Sequence, residues 1–334
     1  LYKTEYIVTM KTTSWMKLCK GAVLALAVSY GLIYCHTNKS KFMLEQKGDS
    51  LTLIHITNPT NYILLPIEEA AEESRVRLDI GDAADTDMDI RLAQTKVDYW
   101  VPFVLPADAK TVTVRVQKSL GDALCWKEMK LSDTFDPSHT DKFRPVYHHA
   151  PLYGWMNNAN GLVYEDEEYH LYYQYNPYGS KWGNMHWGHS ISKDLMHWEH
   201  LAPAIVRDTL GHIFSGSSIV DQENVAGYGT GTILAFYTSA SDKNGQIQCL
   251  AYSNDNGRTF TKYDKNPILR SSDRRKDFRD PKVFWYAPGN KWIMIVAADK
   301  EMCFYDSEDL KDWNYMSSFG EGYGVQPCLL YTSD

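Results

Sequence analysis

No basic face is written into this sequence. Lysine and arginine number 34 against 42 aspartates and glutamates, a formal net charge of −8. Without the four lysines and one glutamate of residues 1–35, the balance is 30 against 41, or −11. That excludes a nucleic-acid partner, which needs a positive surface to meet phosphates. Cysteine is sparse, with six in 334 residues, and two of them fall in the first 35. The other four (Cys125, Cys249, Cys303, Cys328) show no CxxC spacing, so a zinc knuckle or redox pair is not expected. Cys249 and Cys303 read as buried thiols within strands. Apolar residues at a 3.6-residue period, the mark of core helices, are missing beyond residue 35. No apolar run reaches the roughly 20 residues of a membrane-spanning helix.

The longest apolar run is Gly21–Tyr34, "GAVLALAVSYGLIY". It follows the first methionine, Met10, and the basic "MKTTSWMKLCK". A positive segment and then a short apolar one read as a secretory signal. Residues 1–35 are therefore expected to be leader and signal peptide, with residues 1–9 upstream of the natural start. Cys35 stands where a bacterial lipoprotein carries its lipid, although Tyr34 is bulky for such a site. The expected location is secreted, periplasmic or a cell-surface lipoprotein, with an outer-membrane lipid anchor on Cys35.

What is abundant is aromatic: 13% of residues, including 10 Trp and 23 Tyr. Flat rings favour pleated surfaces and also stack on sugars. Residues 40–135 contain short alternating runs such as "SLTLIHI", "YILLPI" and "KTVTVRV", separated by turn residues. These predict an N-terminal β-sandwich over 36–135, with no legible function. Residues 136–150 are polar, with prolines, and are expected to be a linker.

From 151 onward a repeat emerges. Ser192-Lys-Asp-Leu-Met-His-Trp198, Ser253-Asn-Asp-Asn-Gly-Arg-Thr-Phe260 and Ser307-Glu-Asp-Leu-Lys-Asp-Trp313 share one plan, and each follows a hairpin-like stretch. A period of 50–60 residues with several strands per unit predicts β-propeller blades over 151–334. The first strand of each blade lines the axis, so residues at equivalent blade starts converge. Those starts hold "WMNNANG" (155–161), "FSGS" (214–217) and "FRDP" (278–281). Asn and Gly also make "WMNNANG" read as a tight turn. "FSGS" lacks the strand-to-helix setting of a nucleophile elbow. Arg279 and Asp280 suit sugar hydroxyls, as do the amide of Gln174 and the indole of Trp182. His186, His189 and His197 have no acid cluster beside them, so no metal or cofactor is expected.

These stretches, with "YYQYNP", "WGNMHWGHSISKDLMHWEHL", "FRDPKVFW" and "SSFGEGYG", resemble glycoside hydrolase family 32, the fructan hydrolases: levanases, inulinases and invertases. The likeness covers roughly residues 145–327. It implies an all-β chain: an N-terminal β-sandwich and then a five-bladed β-propeller, incomplete here and normally followed by a C-terminal β-sandwich. It also implies a retaining mechanism with two carboxylates about 5–5.5 Å apart. The family's nucleophile is the Asp of Trp-Met-Asn-Asp, and Asn158 stands in its place. Asp280 corresponds to the transition-state stabiliser. Asn157, Gln174, Trp182, Phe214, Ser215 and Arg279 match positions lining the fructose subsite. The family's acid/base lies in a Glu-Cys-Pro motif after "GEGYG". This sequence reads Gly-Val-Gln-Pro-Cys328 there and carries no matching glutamate. The resemblance implies a β-fructosidase by lineage acting on fructan or sucrose. Asn158 and the missing acid predict impaired activity; the alternative is an inactive fructan-binding propeller.

Overall fold

The computed structural model of the chain describes residues 4–6, 40–80, 83–106, 108–118, 121–137, 144–145, 147–273 and 275–320. Apart from residues 4–6, the expected leader lies outside them, as does the Gly-Val-Gln-Pro-Cys stretch.

The first unit holds strands β1 (Thr4–Tyr6), β2 (Lys41–Lys47), β3 (Leu51–Thr57), β4 (Tyr62–Ile67), β5 (Ser74–Ile80), β6 (Ala83–Ile90), β7 (Tyr99–Val104), β8 (Thr111–Gln117) and β9 (Lys130–Ser132), with a one-turn helix, α1 (Cys125–Glu128). They form a six-stranded sheet, β1-β2-β3-β8-β5-β6, and a three-stranded one, β7-β4-β9. The alternation read in the sequence sets the faces. In β3, Thr52, Ile54 and Ile56 are buried, and in β8 Val112, Val114 and Val116 are. Successive side chains on a strand point to opposite sides. Ile54, Val76 and Val114 of the larger sheet meet Ile63, Leu65 and Phe103 of the smaller one in a common core, which makes a sandwich.

Three blades follow, each a meander of antiparallel strands. The first is β10 (Trp155–Glu165), β11 (Glu168–Asn176), β12 (His186–Ser192) and β13 (Glu199–Ile205). The second is β14 (His212–Asp221), β15 (Thr232–Ser241) and β16 (Gly245–Ser253), with β17 (Thr261–Lys262) and β18 (Leu269–Arg270) both pairing β16. The third is β19 (Phe278–Tyr286), β20 (Lys291–Ala298), β21 (Glu301–Ser307) and β22 (Asn314–Phe319). In the first two blades some middle strands do not alternate: all of β12 and all but the last residue of β15 are buried. β15 lies between blades one and three, and β12 has blade two on one face and the His149 segment on the other, with His149 Nε2 2.9 Å from Ser190 Oγ. Coverage on both faces is the condition under which a strand reads as continuously buried. One core joins Trp187, Ile213, Tyr237 and Cys249 across blades one and two, and another joins Phe236, Phe278, Met294 and Cys303 across blades two and three.

The Ser-x-Asp repeat is a turn device. Ser192, Ser253 and Ser307 each donate to the Asp two residues on, at 3.1, 2.7 and 3.1 Å. Each hydroxyl also accepts a backbone N–H from the turn, from Leu195, Gly257 and Leu310 at 2.8–2.9 Å. The repeat closes the turn after the third strand of each blade. Its terminal aromatic then packs edge-on against the preceding blade: Phe260 on Tyr172 and Trp313 on Phe236.

Candidate functional site

The tight turn expected at "WMNNANG" is not there: residues 155–161 open strand β10. Tertiary pairing with β11 overrides the local preference of Asn and Gly for turns. The irregularity survives as bulges within the strand. Met156 pairs Tyr175 and Ala159 pairs Tyr173, so Asn157 and Asn158 together face one residue, Gln174. A second shift follows at Gly161, whose φ is +57° and where a Cβ would lie 2.5 Å from the Trp187 ring. Only glycine meets both conditions.

The same insertion recurs on both other inner strands. In β14, Ile213 pairs Ser239 and Gly216 pairs Tyr237, so Phe214 and Ser215 face Thr238. In β19, Arg279 pairs Ala297 and Lys282 pairs Ile295, so Asp280 and Pro281 face Val296. A bulge breaks the two-residue alternation and re-aims a side chain. Three bulges at one level therefore carry five candidates: Asn157, Asn158, Phe214, Ser215 and Asp280. Gln174 lies opposite the first bulge, and Arg279 precedes the third.

Bonds between blades tie this level into an arc. Asn158 Nδ2 donates to Ser215 Oγ at 2.8 Å. Gln174, buried, donates through Nε2 to the Ile213 carbonyl at 3.0 Å. Trp187 Nε1 donates to the Phe214 carbonyl at 2.9 Å. The Asp280 N–H donates to Thr238 Oγ1 at 3.0 Å; that hydroxyl donates to Gln248 Oε1 at 2.7 Å, and Gln248 Nε2 donates to the Phe278 carbonyl at 2.7 Å. Trp182, about half exposed, sits on the loop between β11 and β12, its ring 5.4 Å from that of His212 and 6.1 Å from that of Phe214. Asn157 is exposed. Gln174 therefore serves the scaffold with its amide nitrogen rather than offering the whole amide to a ligand.

Asp280 is 8% exposed and has φ +60°, a left-handed backbone uncommon outside glycine. Such outliers concentrate at functional sites, where surrounding bonds hold them. Arg279 Nε lies 3.8 Å from Asp280 Oδ2, while Nη1 pairs with Asp277 and stands 3.5 Å from Gln246 Oε1. One guanidinium thus serves two carboxylates.

Sequence reading missed Thr238, Gln248, Gln246 and Asp277. Thr238 was findable: it breaks the apolar run "ILAFYTSA" at the place where Gln174 breaks "LYYQY". The three histidines weighed as metal ligands are scattered. His186 is bonded to the Asn184 carbonyl, His189 stacks on His170 and Tyr172, and His197 pairs with Asp194 on the surface. Among the described residues no three His, Cys, Asp or Glu are grouped to hold a metal.

The arrangement presents hydroxyl, amide, carboxylate and indole groups on a rigid inner wall, a chemistry suited to a polyol with an apolar face. At 158 it presents an amide donor rather than a carboxylate.

Comparison with known proteins agrees in kind. The family model described as the glycosyl hydrolases family 32 N-terminal domain matches residues 148–326, and a domain of unknown function (DUF4980) matches 48–147. A levanase of Bacillus subtilis (strain 168) is 51% identical over 198 residues, 58% of this chain and 29% of that protein. The exo-inulinase structure from Aspergillus awamori is 37% identical, covering 56% of this chain and 41% of that one, with a TM-score of 0.52. A fructofuranosidase from Schwanniomyces occidentalis complexed with fructose is 41% identical, covering 54% and 37%, with a TM-score of 0.51. The chain spans 29% to 41% of the length of the first curated relatives.

Proposed function

Because the chain belongs to glycosyl hydrolase family 32, we propose that its three bulged strands form the fructosyl-binding wall of a β-fructosidase site in which Asn158 stands in the nucleophile's place. The substrate class is fructan or sucrose, supported by the levanase, invertase and inulinase names of the relatives. Asp280 would accept hydrogen bonds from fructose hydroxyls and stabilise positive charge at the anomeric carbon. Arg279 stands beside that carboxylate, its Nε 3.8 Å from Asp280 Oδ2. Asn157, Ser215, Trp182 and Phe214 would complete the pocket, with Gln174 behind it.

The observation that carries the mechanism is the Asn158–Ser215 contact. An amide there cannot form the covalent fructosyl intermediate of a retaining enzyme and adds no negative charge to an oxocarbenium-like transition state. A deficit of ~4–7 kcal/mol corresponds to roughly 10³–10⁵ in rate. The same contact supports the second reading, a fructan-binding propeller, since the amide is fully accommodated. Ser215 can equally donate to a carboxylate, so Asn158→Asp fits the same space.

The test uses an activated substrate, β-D-fructofuranosyl fluoride, whose leaving group needs no protonation. The chain as it stands should release no fluoride above background, and Asn158→Asp should release it measurably. Fructose release from levan, inulin or sucrose by the parent chain at ordinary glycosidase turnover (~10 s⁻¹) would overturn the proposal. The division into a sandwich over 36–135, a linker over 136–150 and a propeller from 151 belongs to this reading. So does an extracellular or cell-surface location, supported by the Met10–Cys35 leader pattern and by relatives named as extracellular exo-inulinases.

A further inference from the structure

The loop carrying Trp182 runs from the end of β11 to the start of β12, residues 177–185. Within the propeller it is tied by Asn176, whose Nδ2 donates to the Lys181 carbonyl at 2.8 Å and whose Oδ1 accepts the Tyr178 N–H at 3.0 Å, and by the Met185 N–H on His212 Nδ1 at 3.2 Å. A second set of anchors lies in the sandwich. Tyr178 is buried in the sandwich core, its ring 5.6 Å from that of Phe103. The Ser180 N–H donates to Glu69 Oε1 at 3.0 Å, and Lys181 Nζ donates to the Glu69 carbonyl at 2.9 Å. Asn184, 2% exposed, bonds the backbone of Asp89 in both directions, donating to its carbonyl at 2.7 Å and accepting its N–H at 2.8 Å. Arg207, buried, donates to Asn184 Oδ1 at 2.8 Å and lies 3.3 Å from Asp89 Oδ2.

Trp182 lies between these anchors, with Ser180 and Lys181 before it and Asn184 after it. Its own ring turns away from the sandwich toward His212 and Phe214. Glu69 and Asp89 come from two separate parts of the sandwich, one after β4 and one within β6. The loop is thus clamped on both sides of its one exposed indole. Ordering such a loop at the moment of binding would cost conformational entropy for each residue fixed, and a pre-set loop avoids that cost.

We propose that the N-terminal sandwich, matched only as a domain of unknown function, is a positioning unit for the sugar site. It holds the 177–185 loop so that Trp182 is already placed as a wall of the fructosyl pocket. The proposal rests on the fructosyl reading for the ligand, but not for the clamp itself.

The experiment is a double-mutant cycle on the full chain with Asn184→Ala and Trp182→Ala, read by amide hydrogen exchange and by binding of 1-kestose and a levan hydrolysate. Asn184→Ala should speed exchange across 177–185 at least tenfold while leaving the inner strands unchanged, and weaken oligosaccharide binding about tenfold. In the Trp182→Ala background it should weaken binding no further, because the clamp acts through that indole. A merely structural role would lower melting temperature equally in both backgrounds, with no coupling. Glu69→Ala, at a partly exposed position, gives the same readout should Asn184→Ala fold poorly. Unchanged exchange in 177–185, or additive losses in the cycle, would overturn the proposal. If the parent binds no fructose oligomer, the fructosyl reading fails, while exchange still decides the clamp.

Discussion

At residue scale, the site depends on side chains that never face a ligand. Thr238 is fully buried, and its hydroxyl is spent on the Asp280 N–H and on Gln248. Thr238→Val keeps the shape and removes both bonds, leaving a buried N–H and a buried amide oxygen unpaired. Each orphaned group costs ~1–3 kcal/mol. The left-handed backbone of Asp280 also loses a restraint. Urea unfolding should show a loss of about 2–6 kcal/mol by the same reasoning, and fructose affinity should fall, with Thr238→Ser restoring both. Full stability in Thr238→Val would mean that the hydroxyl does not hold Asp280.

At element scale, the repeated unit is more than four strands. It is a meander with an inserted residue on its first strand and a Ser-x-Asp turn after its third. The Ser-x-Asp turn was legible because its bonds run between residues two to four apart, so spacing alone reveals it. The bulges were not, because a bulge is a mismatch between two strands and exists only in pairing. In "FSGS", Gly216 sits where a Cβ would lie 1.9 Å from the Phe236 carbonyl oxygen. That neighbour is backbone and cannot step aside. Gly216→Ala should therefore push β14 off β15, shift the Phe214–Ser215 bulge, and cost on the order of 3 kcal/mol, at the upper end for overpacking. Calorimetry checks this: a melting temperature within about 2 °C of the parent would show that the strand pair relaxes freely, since 1 kcal/mol corresponds to about 2–4 °C in a chain of this class.

At the scale of the whole molecule, burial sets the pH response. Desolvation between blades lowers His186 and His189 to about 3, and His149 and His212 to about 4. His170 and His200 are lowered for the same reason. These imidazoles are neutral in the folded chain but take a proton near pH 6.5 when unfolded, so the unfolded state binds more protons as pH falls. Stability must therefore drop from about pH 6.5 downward, at up to ~1.4 kcal/mol per pH unit for each fully buried ring. His197, raised by its bond to Asp194 at the surface, acts in the opposite sense and weakly. Carboxylates held low, such as Glu68 at about 2 by the backbone N–H of Thr95, begin to lose their contribution only below about pH 4.5. A fall in the urea midpoint between pH 7 and 5 thus reports the histidines, and a flat midpoint over that range would show them protonated without cost.

The sequence by itself determined the all-β class, the blade period and the family, and it named the residues proposed to face the sugar. Each of these is carried by side-chain chemistry at short, regular spacing. It also placed an amide at Asn158. Tertiary structure alone decided that "WMNNANG" is strand rather than turn, that three bulges bring Asn158, Ser215 and Asp280 to one level, and that Glu69 and Asp89 clamp the Trp182 loop. Those depend on which groups find partners 13 (Lys282 and Ile295) to 26 (Ile213 and Ser239) residues away across a strand pair, 57 residues away for Asn158 and Ser215, and up to 112 residues away between blade and sandwich. No local pattern encodes such pairing, because its energy comes from hydrogen bonds and burial that exist only once the blades and the sandwich have packed.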